Sequence, residues 1–238
     1  MLSKSKYIKA LQCKKRLWLD KHRAQLRDET SEAQPAIFDA GHRVGEVAKQ
    51  VFPGGMDASV GTGGEKKDFG KWLSKTKRLI EQGHKIIYEA AFSPKGAFCA
   101  MDILVREPTE ASAKGGKLSS WRAIEVKSSS EVKDYHYDDA AVQYFILTQA
   151  GIDLIDIEIM YLNKDYVRNG DLDLQMLFKR ESVLIKVLNM QAEIPDRMQD
   201  FNNVLKMHFE PQIDIGPHCR DPFDCDFIGF CWDHIPEK

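Results

Sequence analysis

The sequence predicts an α/β (α+β) fold: a small mixed, mainly antiparallel sheet with helices on its faces. Three observations predict it. The middle of the chain reads helix–strand–strand–strand–helix–strand. The strand runs are short and bounded by turn formers, and the last of them follows a helical crossover. At 238 residues, 43% hydrophobic and 29% charged, the chain can bury one substantial core, and no repeats or low-complexity tracts divide it.

Residues 3–22 read as a helix. Ser3 can cap it, and Tyr7, Leu11 and Trp18 recur at helical spacing. A polar loop follows over 23–31. A second helix spans 34–51, with Ile37, Phe38, Val44, Val47 and Val51 as its apolar positions. Gly41 and Gly45 each cost this helix about 1 kcal/mol against alanine, and they would let another backbone or a ligand come close beside His42, which is otherwise a structural or exposed residue. Pro53-Gly54-Gly55 ends the helix, and 58–64 is a glycine-rich loop. Residues 69–82 form a helix through Trp72, Leu73, Leu79 and Ile80. Strands are expected over 85–92, which includes Glu89, and over 97–106, joined by a turn at Ser93-Pro94-Lys95-Gly96. A polar excursion at 107–120 precedes a strand at 121–127. A helix at 134–150, a strand at 152–162 and helices at 172–190 and 195–209 complete the core.

Composition excludes several classes. No apolar run approaches the length of a membrane span, and the basic N-terminus has no apolar stretch behind it, so a cytoplasmic protein with no membrane partner is expected. A net charge of −2 gives no global basic field. Two local stripes remain: Lys4, Lys6, Lys9, Lys14, Lys15, Arg16, Lys21 and Arg23 in the first helix, and Lys66, Lys67, Lys71, Lys75, Lys77 and Arg78. Each is a nucleic-acid contact or a solvated helix face. Neither glycine-rich segment has the pattern or the strand-to-helix position of a phosphate loop.

Two constellations carry chemistry. In Ile124-Glu125-Val126-Lys127, Glu125 and Lys127 are two apart in a strand and share a face. Many exposed strands carry such a pair in water. Asp102, interrupting the apolar run Phe98 to Val105, could stand beside it. Two carboxylates and a lysine at the edge of a sheet can hold a hard divalent cation and polarise a water. The second constellation is Cys219, Cys225 and Cys231, equally spaced in an aromatic-rich tail. Cys13, flanked by Lys14, Lys15 and Arg16 in a field that favours a thiolate, is the obvious fourth member, with His218 and His234 as rivals. Four such ligands hold structural zinc or an iron–sulfur cluster, and the wide gaps favour the cluster. Cys99 reads as a small core residue.

These residues and their order resemble the PD-(D/E)XK nuclease superfamily, and more closely its RecB-like iron–sulfur exonucleases. That group includes the CRISPR-associated adaptation nuclease and the nuclease domain of AddB. The resemblance runs through nearly the whole chain, from Cys13 through His42, Asp102, Glu125-Val126-Lys127 and Gln143 to the three late cysteines. It implies a restriction-endonuclease-like core over 34–162 within a single nuclease domain, 1–238. It also implies a cap, 1–30 with 210–238, holding a [4Fe-4S] cluster on Cys13, Cys219, Cys225 and Cys231. His42, Asp102, Glu125 and the Val126 carbonyl would hold Mg²⁺ or Mn²⁺. Lys127 would position or deprotonate the attacking water, and Gln143 would orient Lys127 or a DNA phosphate. Glu89 would complete a second metal site or be a solvated edge residue. The implied substrate is DNA, single-stranded or at ends, and the implied partners are proteins of DNA repair or CRISPR-like processing. The chain departs from the family after the glutamine: Leu147 stands where a tyrosine is common, and Tyr144 adjoins Gln143. The rival expectations are a non-catalytic nucleic-acid-binding module and a zinc-stapled protein.

Overall fold

The structure, a computed structural model, describes residues 1–29, 34–61, 68–108 and 120–233. Lys66 and Lys67 of the expected basic stripe, and His234 as a rival ligand, lie outside them.

A seven-stranded mixed sheet organises the chain, flanked by helices. Its strands are β1 (Leu2–Ser3), β2 (Met56–Asp57), β3 (Ile86–Phe92), β4 (Ala97–Glu107), β5 (Ser120–Lys127), β6 (Leu154–Leu162) and β7 (Phe178–Ser182). The order across the sheet is β2-β3-β4-β5-β6-β7, and β1 pairs with the start of β4. Pairings β3·β4, β4·β5 and β6·β7 are antiparallel, whereas β1·β4, β2·β3 and β5·β6 are parallel. The sheet is therefore more evenly mixed than its longest hairpins suggest, because β1 and β2 are two-residue strands with no periodicity to read.

The helices are α1 (Lys4–Gln12), α2 (Lys14–His22), α3 (Gln34–Lys49), α4 (Phe69–Glu81), α5 (Asp134–Gln149), α6 (Leu174–Leu177), α7 (Leu184–Met190), α8 (Ile194–Val204) and α9 (Ile228–Trp232). Ser3 caps α1, its hydroxyl accepting from the Lys6 N–H at 3.3 Å, and Asp68 caps α4 through the Lys71 N–H at 3.0 Å. Such caps contribute about 1 kcal/mol each.

Two expected helices differ. The helix expected over 3–22 breaks at Cys13, which takes an extended conformation (φ −161°, ψ 119°) while its N–H still closes α1 on the Lys9 carbonyl. The break lets Tyr7 and Ala10 of α1 and Leu17, Trp18 and Leu19 of α2 all bury. The helix expected over 172–190 is divided by β7, an edge strand in which only Phe178 is buried and which pairs its backbone with β6.

Among the described residues, two clusters gather most of the buried apolar side chains. One gathers α1, α2, α5, α7 and α8 with Met101, Leu104, Ala123, Ile157 and Ile159 of the sheet. The other seats α3, through Ala48, Val44 and Val47, on Tyr88, Ile103, Ile124 and Met160. Glu125 and Asp102 sit where the sheet passes between them. Among the described residues, no helix is long and apolar enough to cross a membrane.

Candidate active site

The site begins as a defect in strand pairing. Tyr88 pairs with Ile103 and Ala90 with Met101, so the register sets Glu89 opposite Asp102, yet that pair is skipped. Glu89 has φ +52°, an uncommon conformation for a side-chain-bearing residue and one that costs of order 1 kcal/mol. On the next strand, β4 pairs with β5 only as far as Ile103 and Ile124. The following pair would be Asp102 with Glu125. There the strands part, and the Asp102 carboxylate instead accepts the Val126 N–H at 2.7 Å. Glu89, Asp102 and Glu125 thus occupy one cross-strand row, a placement of like charges that is unfavourable without a cation.

Glu89 and Asp102 open into a cleft of about 200 Å³, lined also by Gly41, His42, Gly45, Glu46, Lys49, Ile103 and Val126. A methyl group added to Gly41 or Gly45 would meet nothing within 4 Å, so packing does not demand these glycines; they leave the cleft wall open. Burial and the neighbouring Glu125 carboxylate push the Asp102 pKa up to about 8. Burial likewise raises Glu89, against the pull of Lys49 at 3.6 Å. Burial holds both carboxylates toward their neutral forms, and a cation in the cleft would reverse that. With His42 alongside, the donor set of carboxylates and one imidazole fits Mg²⁺ or Mn²⁺.

Glu125 itself is 3% exposed and does not line the cleft. Its Oε1 accepts from Lys4 Nζ at 2.7 Å and Lys127 Nζ at 2.8 Å, and its Oε2 from Gln143 Nε2 at 2.7 Å. Both lysines also reach Asp139, Lys4 at 3.3 Å and Lys127 in a close ion pair. The result is a ring of alternating charge, Lys4–Glu125–Lys127–Asp139. Burial alone would lower both lysines, but Asp139 and Glu125 hold them above their ordinary range. Burial would raise Glu125, yet Lys127 and Lys4 pull it well below. Gln143 is fully buried and grips Glu125, not Lys127.

The structure therefore brings His42, Asp102 and Val126 to one cleft, and Glu125, Lys127 and Gln143 to one ring behind it. Among the described residues, no three His, Cys, Asp or Glu side chains already gather tightly enough to hold a metal ion. The reason at the cleft is that both Glu125 oxygens are engaged elsewhere. Sequence reasoning missed Asp139, although it lies one helical turn before Gln143 on the same face of α5. It placed Lys4 in a basic stripe. Much of that stripe is paired within the chain: Lys9 with Asp20 and Asp226, Lys14 with Asp200, Lys15 with Glu210 and Arg16 with Asp226.

The four cysteines Cys13, Cys219, Cys225 and Cys231 all line a second cavity, with His218, Lys15 and Arg16. The tail is tied to the N-terminal helices there. Gln12 Nε2 donates to the carbonyls of His218 (2.8 Å) and Phe223 (2.6 Å), and the Cys225 N–H donates to the Cys219 carbonyl at 2.8 Å. Burial raises the Cys225 thiol to about 11 and raises Cys231 as well. Unaided, these thiols stay protonated, and a bound cationic group is what would stabilise their thiolates. The donor set fits such a group. Cys99 is buried in β4, apart from this cavity.

The fold and site together define a mixed α/β chain with an interrupted sheet and a buried carboxylate–lysine centre. No protein-family model matches the chain, and no curated protein does.

Proposed function

We propose that the chain is a metal-dependent nuclease that hydrolyses DNA phosphodiesters, acting as an exonuclease on single-stranded or end-bearing DNA, with a structural [4Fe-4S] cluster on Cys13, Cys219, Cys225 and Cys231. The observation that carries the reading is the row Glu89–Asp102–Glu125 across three neighbouring strands, with Lys127 one alternation further along β5. Asp102 and His42 would hold Mg²⁺ or Mn²⁺, joined by the Val126 carbonyl and Glu89, and Glu125 would join them only by giving up a partner in its ring. The bound ion would polarise the phosphate and lower the pKa of its water.

The chain's own residues do the rest. Lys127, held protonated by Asp139 and Glu125, is suited to stabilising charge on the phosphate rather than to removing a proton. Gln143 fixes the Glu125 carboxylate. Lys71, Lys75 and Arg78 line one groove on α4, and this helix packs on β3, where the Trp72 indole donates to the Glu89 carbonyl at 2.7 Å. That face offers a path for a phosphate backbone. Phe38, 60% exposed and one turn before His42, offers a surface on which an unpaired base can stack.

One observation favours a second reading. With both Glu125 oxygens engaged by lysines and Gln143, the chain could bind nucleic acid without cutting it. End-labelled single- and double-stranded DNA, incubated with Mn²⁺, Mg²⁺ or EDTA, separates the two. Metal-dependent cutting by anaerobically purified wild type, abolished in Lys127→Ala, is the expected result. Tight binding with no cutting under any metal condition sinks the nuclease reading and leaves the binding module.

A further inference from the structure

Helix α1 joins the two centres. It starts at Lys4, whose ammonium closes the charge ring on Glu125 and Asp139, and its C-cap is Cys13, on the wall of the cysteine cavity. Nine helical residues set these ends about 13 Å apart. The helix is stiffly bedded. Tyr7 is fully buried with its ring edge-on to Phe201 at 5.2 Å, and Ala10 is buried beside it. At its C-terminal end the helix is tied to the cysteine-bearing tail, Gln12 donating to the carbonyls of His218 and Phe223 and Lys9 pairing with Asp226 at 3.0 Å. Before Lys4, β1 pairs two residues, Leu2 with Ala97 and Ser3 with Phe98. After Gln12, the chain turns sharply at Cys13 into α2. A two-residue strand is marginal by itself. The position of Lys4 therefore depends on what holds Cys13 and the tail to which Gln12 and Lys9 are tied.

We propose that Lys4 is a positioning residue of the candidate active site, and that α1 transmits the state of the four-cysteine centre to the Glu125–Lys127 ring through it. This rests on the reading of the cysteines as a metal-group site and of the ring as part of a nuclease centre. The metal group then does more than staple the tail to the N-terminus. Filled, it anchors Cys13 and sets Lys4 on Glu125 and Asp139, so that Glu125 and Lys127 take one fixed arrangement. Emptied, it frees the C-terminal end of α1, Lys4 withdraws, and Lys127 alone must balance two carboxylates.

Amine acylation read by mass spectrometry tests this without relying on turnover. Anaerobically purified full-length protein is labelled with an acetyl ester before and after a chelator removes its iron, with iron content and visible absorbance recorded. Lys4 should react slowly in the loaded protein and at least fivefold faster once stripped. Lys71, whose side chain is 78% exposed, should label fast in both states, and Lys49, only 12% exposed, slowly in both. Cys13→Ser should label like stripped protein. Lys4 reactivity that ignores stripping, or Lys49 rising in step with it as the whole fold loosens, overturns the coupling. In the kinetic arm, Lys4→Met should lower kcat about tenfold with KM little changed and iron content intact, and Lys4→Arg should recover part of the loss. A rise in KM alone would make Lys4 a substrate contact and overturn the positioning role. Protein that holds no metal and cuts no DNA rejects the underlying nuclease reading, and the coupling with it. Protein that holds iron and cuts, but whose Lys4 does not respond, rejects the coupling alone.

Discussion

Replacing Glu125 with glutamine removes one negative charge from the ring and changes almost nothing in shape. The carboxylate is 3% exposed and is touched by two ammonium groups at 2.7 and 2.8 Å and by the Gln143 amide at 2.7 Å. Removing one partner of a buried ion pair costs about 3–5 kcal/mol, because the other charge is left without compensation. The two lysine side chains are 22% and 17% exposed, so some water reaches them and the lower end applies, about 3 kcal/mol. For a chain of this size that lowers Tm by about 6–12 °C. Urea unfolding followed by circular dichroism gives the same quantity as a shift in midpoint at constant slope. A double-mutant cycle with Lys4→Met isolates the pair. Lys4→Met should cost less in the Glu125→Gln background than in wild type, with a coupling of about 1 kcal/mol or more. A loss under about 1 kcal/mol for Glu125→Gln, the value of an exposed pair, would refute the buried ring and return Glu125 and Lys127 to a solvated strand face.

Burial, reinforced by the Lys127 charge, pushes the His136 pKa down to about 4. The unfolded chain takes up this proton near pH 6.5 and the folded chain does not, so the stability His136 contributes is complete above pH 6.5 and drains as pH falls toward 4. His136→Leu should flatten that limb in melts run from pH 7 to 4, and an unchanged limb would show that His136 titrates normally in the fold. At Glu89, alanine and glycine both remove the carboxylate, so their difference isolates the backbone. Glycine ordinarily costs a strand 0.5–1 kcal/mol against alanine, but φ +52° reverses the preference. Glu89→Gly should therefore be at least as stable as Glu89→Ala in thermal melts, and the ordinary order would mean that the β3 irregularity is not held in the folded protein.

What could be read ahead of the structure follows from the kind of signal each element emits. The strands β3 to β6 and helix α5 announce themselves as apolar runs of strand or helix length bounded by turn formers, because both faces of each are largely buried. β7, Phe-Lys-Arg-Glu-Ser, emits none: it is held by backbone pairing to β6 and only Phe178 is buried. The break at Cys13 is equally silent, since the apolar positions on either side continue at helical spacing. In the site, the period of two puts Glu125 and Lys127 on one face, and they meet there, Lys127 Nζ donating to Glu125 Oε1 at 2.8 Å. It could not say that Glu125 faces away from the cleft, which depends on where β4 and β5 separate. Nor could spacing connect Lys4 to Glu125, 121 positions apart. A lysine in a helix of lysines looks like solvated surface until its partner is known.

The separation of cleft from ring has a physical logic. Had Asp102 and Glu125 continued the β4·β5 ladder, two carboxylates would face each other at full pairing distance, each at a cost. The strands divide the load instead. Asp102 turns to a free backbone N–H and toward the cleft, where burial keeps it close to neutral. Glu125 turns to two lysines and a glutamine, where it is held ionised. Adjacent carboxylates in opposite protonation tendencies can coexist in a protein interior, and a dication arriving in the cleft would add its charge to the side where Lys49, 3.6 Å from Glu89, is the lysine in the lining. Lys4 and Lys127 already balance the other side. The arrangement thus leaves one local deficit of positive charge, at Asp102 and Glu89, and the cleft lined by His42 opens onto that deficit.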